Sequence, residues 1–169
     1  MAVWLQNVKA LTVGSLFFLA AGVFVTIIIP SLDAQAYTPT EYAHAFTPDE
    51  ARGRDIFKRE GCWYCHTQQV RPPEANIGTV KLKGDIGPVS RPGDYVYQSP
   101  VFWGTERQGP DLTHVASRKD DKGFNYGGNV DWQIAHLIAP QEMNPGTVMP
   151  SFRHLPIDEL RAVAAYLVT

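Results

Sequence analysis

Between Ala10 and Ser31 the chain carries no charged side chain, and Leu11 to Ile29 is built largely from Leu, Val, Ile, Phe and Ala. No other stretch narrows the possible folds as much. At about 1.5 Å per residue, roughly 20 helical residues cross a hydrocarbon core of about 30 Å. Backbone groups in that core must satisfy one another, which a helix achieves within its own segment. Lys9 precedes the run, and Asp33 and Glu41 follow it. Positive charge stays on the cytoplasmic side, so the C-terminal part is expected on the outer face of the membrane. Trp4 and Tyr37 flank the run where interfacial aromatics anchor a helix. The competing reading is a cleaved signal peptide, because Ala34-Gln35-Ala36 resembles a small-residue cleavage site. The run exceeds the usual apolar region of about 7–15 residues, which favours a retained span. Either reading exports the rest of the chain.

The exported part holds the only two cysteines, Cys62 and Cys65, followed directly by His66. A disulfide framework needs more cysteines and wider spacing. A lone C-x-x-C fits a redox dithiol or half a zinc site, whereas C-x-x-C-H is the pattern of covalent c-type haem attachment. Two thiols on one tight turn reach both vinyl groups of the macrocycle from one side, and the adjacent imidazole then faces the iron as its fifth ligand. In bacteria this attachment takes place outside the cytoplasmic membrane, in agreement with export. One covalent haem c is therefore expected, and the haem supplies much of the core of a small, loop-rich domain.

The 169 residues suffice for one such domain beside the membrane segment. The boundaries read as an anchor over 1–31, a linker over 32–46 and a mono-haem cytochrome domain over 47–169. The fold class is all-α. Thr47, Pro48 and Glu50 open a helix, with Thr47 as cap, Pro48 at the first position and Glu50 closing a capping box. That helix ends near Gly61, with Ile56 and Phe57 inward and Arg52, Lys58 and Arg59 in water. Residues 67–110 are poor in apolar runs and rich in Pro and Gly, as expected of a long loop wrapped around a cofactor. Val130–Ile138 and Pro156–Val168 read as helices. In the second, Leu160, Val163, Ala164 and Leu167 share one face. The 15 basic and 17 acidic residues are dispersed, so nucleic acid is not an expected partner. No phosphate-binding loop or catalytic triad spacing is present, and no catalytic centre of the chain's own is expected.

Electron transfer calls for a sixth iron ligand, because a filled coordination sphere changes little between oxidation states. Apart from the initiator, Met143 and Met149 are available. Met149, before Pro150 and the last helix, is the preferred ligand, since the chain can fold back there; Met143 is the second choice. His44, His114, His136 and His154 are weaker candidates, with His136 foremost. Arg71 and Arg107 either pair with haem propionates or lie in solvent. Trp103 and Trp132 are candidate haem-pocket or core aromatics, and Trp63 and Tyr64 lie inside the motif itself.

Several strings in this order carry a further resemblance. They are Glu60-Gly61-Cys62-Trp63-Tyr64-Cys65-His66-Thr67-Gln68 with Val70-Arg71-Pro72, and Phe102-Trp103-Gly104 with Arg107 and Gly109-Pro110-Asp111-Leu112. Trp132, Ala135-His136-Leu137-Ile138 with Pro140, and Val148-Met149-Pro150 follow. Together with the N-terminal span, these resemble the mono-haem cytochrome subunit of cbb3-type cytochrome c oxidases over roughly residues 10–168. The segments 73–97 and 119–129 depart from that pattern. The resemblance implies that Cys62 and Cys65 are the covalent sites and that His66 and Met149 are the axial ligands. It also implies that the Pro110 carbonyl supports the imidazole of His66. By the same resemblance, electrons arrive from another c-type cytochrome and leave to a haem-copper catalytic membrane subunit. The alternatives are the mono-haem subunit of a nitric oxide reductase, a free-standing membrane-anchored carrier and a thiol-disulfide enzyme.

Overall fold

A computed structural model of the chain describes residues 7–72, 87–104 and 106–169. Trp4 and residues 73–86 of the expected loop lie outside these described residues. Among the described residues the chain is helical, with no strand. It divides into two units, one comprising the residues up to Ala43 with Arg91–Val96, the other His44–Ser90 with Tyr97–Thr169.

The first unit is dominated by the apolar run. Helix α1 (Val8–Val23) starts where the Asn7 side chain accepts from the backbone N–H groups of Lys9 and Ala10. It continues through a π turn (Phe24–Ile28) into a short α2 (Ile29–Ser31). The combined 24 residues contain an 18-residue stretch with a mean hydropathy of 2.4, none of whose residues is buried within the chain. They are long and apolar enough to cross a membrane. The π turn has a local cause: Pro30 lacks an N–H and its ring would press on the carbonyl four residues earlier. A wider turn just before it relieves that contact, and Ile29 N–H donates to Phe24 five residues back. Two hydroxyls satisfy carbonyls on either side, Thr26 donating to Gly22 (2.7 Å) and Ser31 to Ile28 (2.7 Å). Beyond the span, the segment 34–43 is held by residues 91–96. Thr40 N–H donates to the Gly93 carbonyl, and the Thr40 hydroxyl donates to Asp94.

The second unit is built on two helices, α3 (Pro48–Arg59) and α7 (Ile157–Leu167). The capping box of α3 has both bonds, Thr47 N–H to Glu50 Oε2 (2.7 Å) and Glu50 N–H to Thr47 Oγ1 (3.4 Å). Between these helices lie α4 (Cys62–Cys65), α5 (Val130–Ile138) and α6 (Pro140–Met143), joined by loops. As the spacing predicts, α7 buries Leu160, Val163, Ala164 and Leu167; it also buries Ala162 and Tyr166. The extra burial follows from an unusually close crossing with α3. A Cβ at Gly53 would stand 1.9 Å from the carbonyl oxygen of Ala162. Ile56 and Phe57 then reach the same core as Phe102, Leu137 and Phe152.

One residue of α3 departs from a simple wet-and-dry division. Arg54 is buried, with its guanidinium 4.1 Å from the centre of the Phe102 ring and a hydrogen bond to the Pro100 carbonyl. The exposed ends of α3 and α7 carry a ladder of charges. Arg52 meets Asp158 (2.5 Å), and Arg59 bridges Glu159 (2.5 Å) and Glu60 (2.7 Å).

Two expectations follow. Gly53→Ala gains about 1 kcal/mol of helix propensity but forces α3 off a backbone that cannot yield, at a net cost of about 2 kcal/mol or more. Thermal unfolding of the detergent-solubilised chain, followed by circular dichroism, should show the loss; an unchanged or raised midpoint would contradict the crossing. The second concerns acid. Hydrogen bonds from Arg59 hold the carboxyls of Glu60 and Glu159 below their ordinary values, and one from Arg52 does the same for Asp158. The unfolded chain binds these protons first, so their contribution is complete above the ordinary carboxylate range of about 4 and fades as pH falls through the lowered values. Arg59→Ala should lower stability slightly at neutral pH and converge on the wild type in acid, which flattens the acid limb of the stability–pH curve; the difference is small because such exposed pairs contribute little.

Candidate functional site

Helix α3 stops at Gly61, whose φ of +73° turns the chain into the left-handed region. A glycine suits that conformation because it has no Cβ to clash. The chain then makes the single helical turn α4, which places Cys62 and Cys65 three residues apart on one turn. Neither cysteine is in a disulfide. Burial pushes the Cys62 thiol up to about 12. A catalytic dithiol needs the opposite, a thiol depressed towards neutrality or below it. The surroundings of Cys62 thus do not favour a thiolate.

His66 follows α4 in extended backbone conformation. Two loops enclose it. Gly109 N–H donates to the Cys65 carbonyl (2.9 Å), and Leu112 N–H donates to the Thr67 carbonyl (2.7 Å). Gly109 lies flat against the imidazole, where a Cβ would come within 2.3 Å of His66 Cε1. Gly104, at φ +82°, passes equally close to the His66 carbonyl. Between these contacts His66 Nδ1 lies 2.8 Å from the carbonyl oxygen of Pro110. A carbonyl only accepts, so Nδ1 carries the proton and Nε2 keeps its lone pair. Burial lowers the proton affinity of His66 further than the Pro110 carbonyl raises it, leaving a neutral imidazole. A neutral imidazole with one nitrogen fixed and the other a donor of electrons is the form that binds iron.

Met149 lies in the turn-rich stretch before α7 and packs, half-buried, against the same core as Cys62 and Trp63. Its carbonyl accepts from Gln141 (2.6 Å), and its N–H donates to the Thr147 hydroxyl (3.2 Å). The following loop is tied to α5 by Phe152 N–H to Leu137 (2.8 Å) and by Ser151 to Ile138 (2.5 Å). Met143, at the end of α6, is 37 % exposed and outside this core.

The remaining candidates divide. Arg107 is neither in solvent nor at an open edge. It is buried and donates from Nε to Thr67 Oγ1 (3.0 Å) and from Nη2 to the Gln69 carbonyl (2.6 Å). Arg71 is half-buried at the edge of the described segment. Trp103 is 53 % exposed and outside the core, although its carbonyl accepts from Gln68 N–H. Trp132 stacks on His136 at 4.9 Å with planes 8° apart. His136 Nδ1 is buried without a hydrogen-bond partner among the described residues. Burial, and then His66, depress its proton affinity. A buried orphan of this kind costs about 1–3 kcal/mol unless another group satisfies it.

Cys62 and Cys65 on one turn, the free Nε2 of His66 beside them and Met149 against the same core as Cys62 are residue types that suit a haem. The hub of the loop that encloses His66 escaped the sequence reading. Asp111 is 1 % exposed and accepts from Thr67 Oγ1 (2.6 Å), Gln69 N–H (2.8 Å) and Thr113 N–H (2.9 Å). The one signal available was its place next to Pro110.

Residues 2–166 match the family described as cytochrome c oxidase, mono-heme subunit/FixO. No curated protein matches the chain. With a match across nearly its whole length and a site whose geometry suits the group, the chain belongs to the FixO family of mono-heme cytochrome c oxidase subunits.

Proposed function

We propose that the chain relays single electrons through one covalent haem c, from a c-type cytochrome donor to the haem-copper catalytic subunit of a cbb3-type oxidase. The observation that carries this reading is the pairing of His66 Nδ1 with the Pro110 carbonyl directly beside two unpaired cysteines on one turn. Cys62 and Cys65 would hold the haem through two thioethers, each formed by addition of S–H across a vinyl group with no atom lost. His66 and Met149 would ligate its iron, and Pro110 holds the tautomer of the first. Bound there, the haem supplies a one-electron ferric–ferrous couple, and thioether ligation raises its potential. The protein's own part is to hold both ligands still, exclude water from the core side and keep His66 neutral. Arg71 and Trp103 are proposed to border the haem. Arg107 acts from inside the loop, where its contacts lie.

The span over Val8–Ser31 supports membrane anchoring, and Lys9 ahead of it supports placing the cytochrome unit on the periplasmic face of a bacterial cytoplasmic membrane. The family match favours an oxidase over a nitric oxide reductase as the complex served. A free-standing carrier would leave such a subunit without its acceptor.

Purification of the native chain in mild detergent tests the proposal. The expected result is a haem-staining band on a denaturing gel that the double variant Cys62→Ala/Cys65→Ala lacks, with a polytopic haem-containing subunit co-purifying. A wild-type band without stain would point to the dithiol enzyme, and a stained chain running alone would point to the free carrier. Met149→Leu should abolish the red charge-transfer absorption of the ferric haem, while Met143→Leu leaves it intact. The reverse pattern would reassign the sixth ligand.

A further inference from the structure

The bond between His66 Nδ1 and the Pro110 carbonyl joins two loop segments that have no helix or strand to hold them in register. Two backbone bonds flank it, Gly109 N–H to the Cys65 carbonyl (2.9 Å) and Leu112 N–H to the Thr67 carbonyl (2.7 Å), and Asp111 adds a buried side-chain clamp between the same segments. Its Oδ2 accepts from the Thr67 hydroxyl (2.6 Å) and from Gln69 N–H (2.8 Å), both on the segment that leaves His66. Its Oδ1 accepts from Thr113 N–H (2.9 Å), on its own segment. Its carbonyl accepts from the Arg118 guanidinium. Arg107 completes the arrangement, with Nη2 3.9 Å from Asp111 Oδ2 and Nε donating to Thr67 Oγ1 (3.0 Å). The Thr67 hydroxyl has one proton, given to Asp111, and so accepts from Arg107; its orientation is fixed from both sides. A carboxylate 1 % exposed costs much to bury unless charge and hydrogen bonds compensate it. Here they do, and the compensation sits one residue from Pro110.

Resting on the reading of His66 as an axial ligand, we propose that Asp111 is a positioning residue that sets the electron-transfer potential through the Pro110 carbonyl. Asp111 clamps the two segments so that the carbonyl meets Nδ1–H at hydrogen-bonding distance. That bond makes the imidazole a stronger donor and favours the ferric state. Loosening the clamp weakens the bond and shifts the balance towards the ferrous state. Asp111→Asn removes the charge and sets an NH2 against a donor in either orientation, facing Thr113 N–H or facing Gln69 N–H and the Thr67 hydroxyl, so at least one bond of the clamp is lost. Thr67→Val removes one bond to the carboxylate without adding a donor.

The test uses the full-length haem-loaded protein in mild detergent, comparing wild type, Asp111→Asn, Thr67→Val and the remote core variant Leu160→Ala. Haem stain, thermal midpoint, redox titration and the exchange rate of the His66 Nδ1 proton in the reduced protein are measured together. The expected result is retained covalent haem, a more positive potential in both loop variants and faster Nδ1 proton exchange. The potential shift should correspond to roughly a threefold or larger rise in the reduced-to-oxidised ratio at fixed ambient potential. Leu160→Ala should lose stability with neither change. If the loop variants lose stability as Leu160→Ala does, with potential and exchange unmoved, Asp111 is a structural residue only and the proposal is overturned. A wild-type chain without covalent haem would overturn the underlying reading and this proposal with it.

Discussion

Gly53 lets α3 rest on the backbone of α7 at Ala162, and the geometry of the cytochrome unit descends from that contact. With the helices so close, Phe57 and Tyr166 meet edge to face at 5.5 Å, and the Tyr166 hydroxyl reaches Gln68 (2.7 Å), two residues past His66. The crossing therefore does more than bury apolar surface. It ties the last helix to the segment that carries the imidazole, and it fixes where α3 ends and the Cys62–Cys65 turn begins. On the far side, Trp63 packs on Phe102 at 6.2 Å, so the motif is braced from the core as well as from the chain.

Two kinds of information were present in the sequence to different degrees. Local rules were legible. The capping box at Thr47, the helical face of Leu160, Val163, Ala164 and Leu167, the α5 boundaries and the apolar span could all be read from neighbouring residues, because the interactions that create them are short-range. Long-range polar contacts were not. The covering of Arg54 by Phe102 and Pro100, nearly fifty residues away, leaves no mark in the local pattern of α3. Arg107 reads as a residue for an anionic group of the cofactor or for solvent; in the folded chain its side chain is buried and donates to Thr67 and Gln69. Asp111 carries no periodic signal at all; its role exists only once the loops have met.

The same comparison separates two jobs that arginine performs in this small unit. On the exposed edge, Arg52 and Arg59 hold carboxylates in water, where screening and side-chain entropy leave little net stabilisation. In the interior, Arg54 and Arg107 lie against an aromatic ring or a buried acid, where the planar guanidinium makes several contacts at once. Replacement by lysine would keep the charge in both settings but lose the geometry in the interior and at Arg59, whose guanidinium forks onto both oxygens of Glu159.

The π turn at Phe24–Ile28 bears on how the anchor can be gripped by other helices. Adding one residue to a turn advances the side chains beyond it by roughly 100° around the axis relative to an uninterrupted α-helix. A stripe through Ala10 and Gly14, two part-buried positions of α1, therefore does not continue in phase past the π turn. A straight neighbour packed along the first half would part from that stripe in the second, so the span presents two separate grips, one in each half of its length.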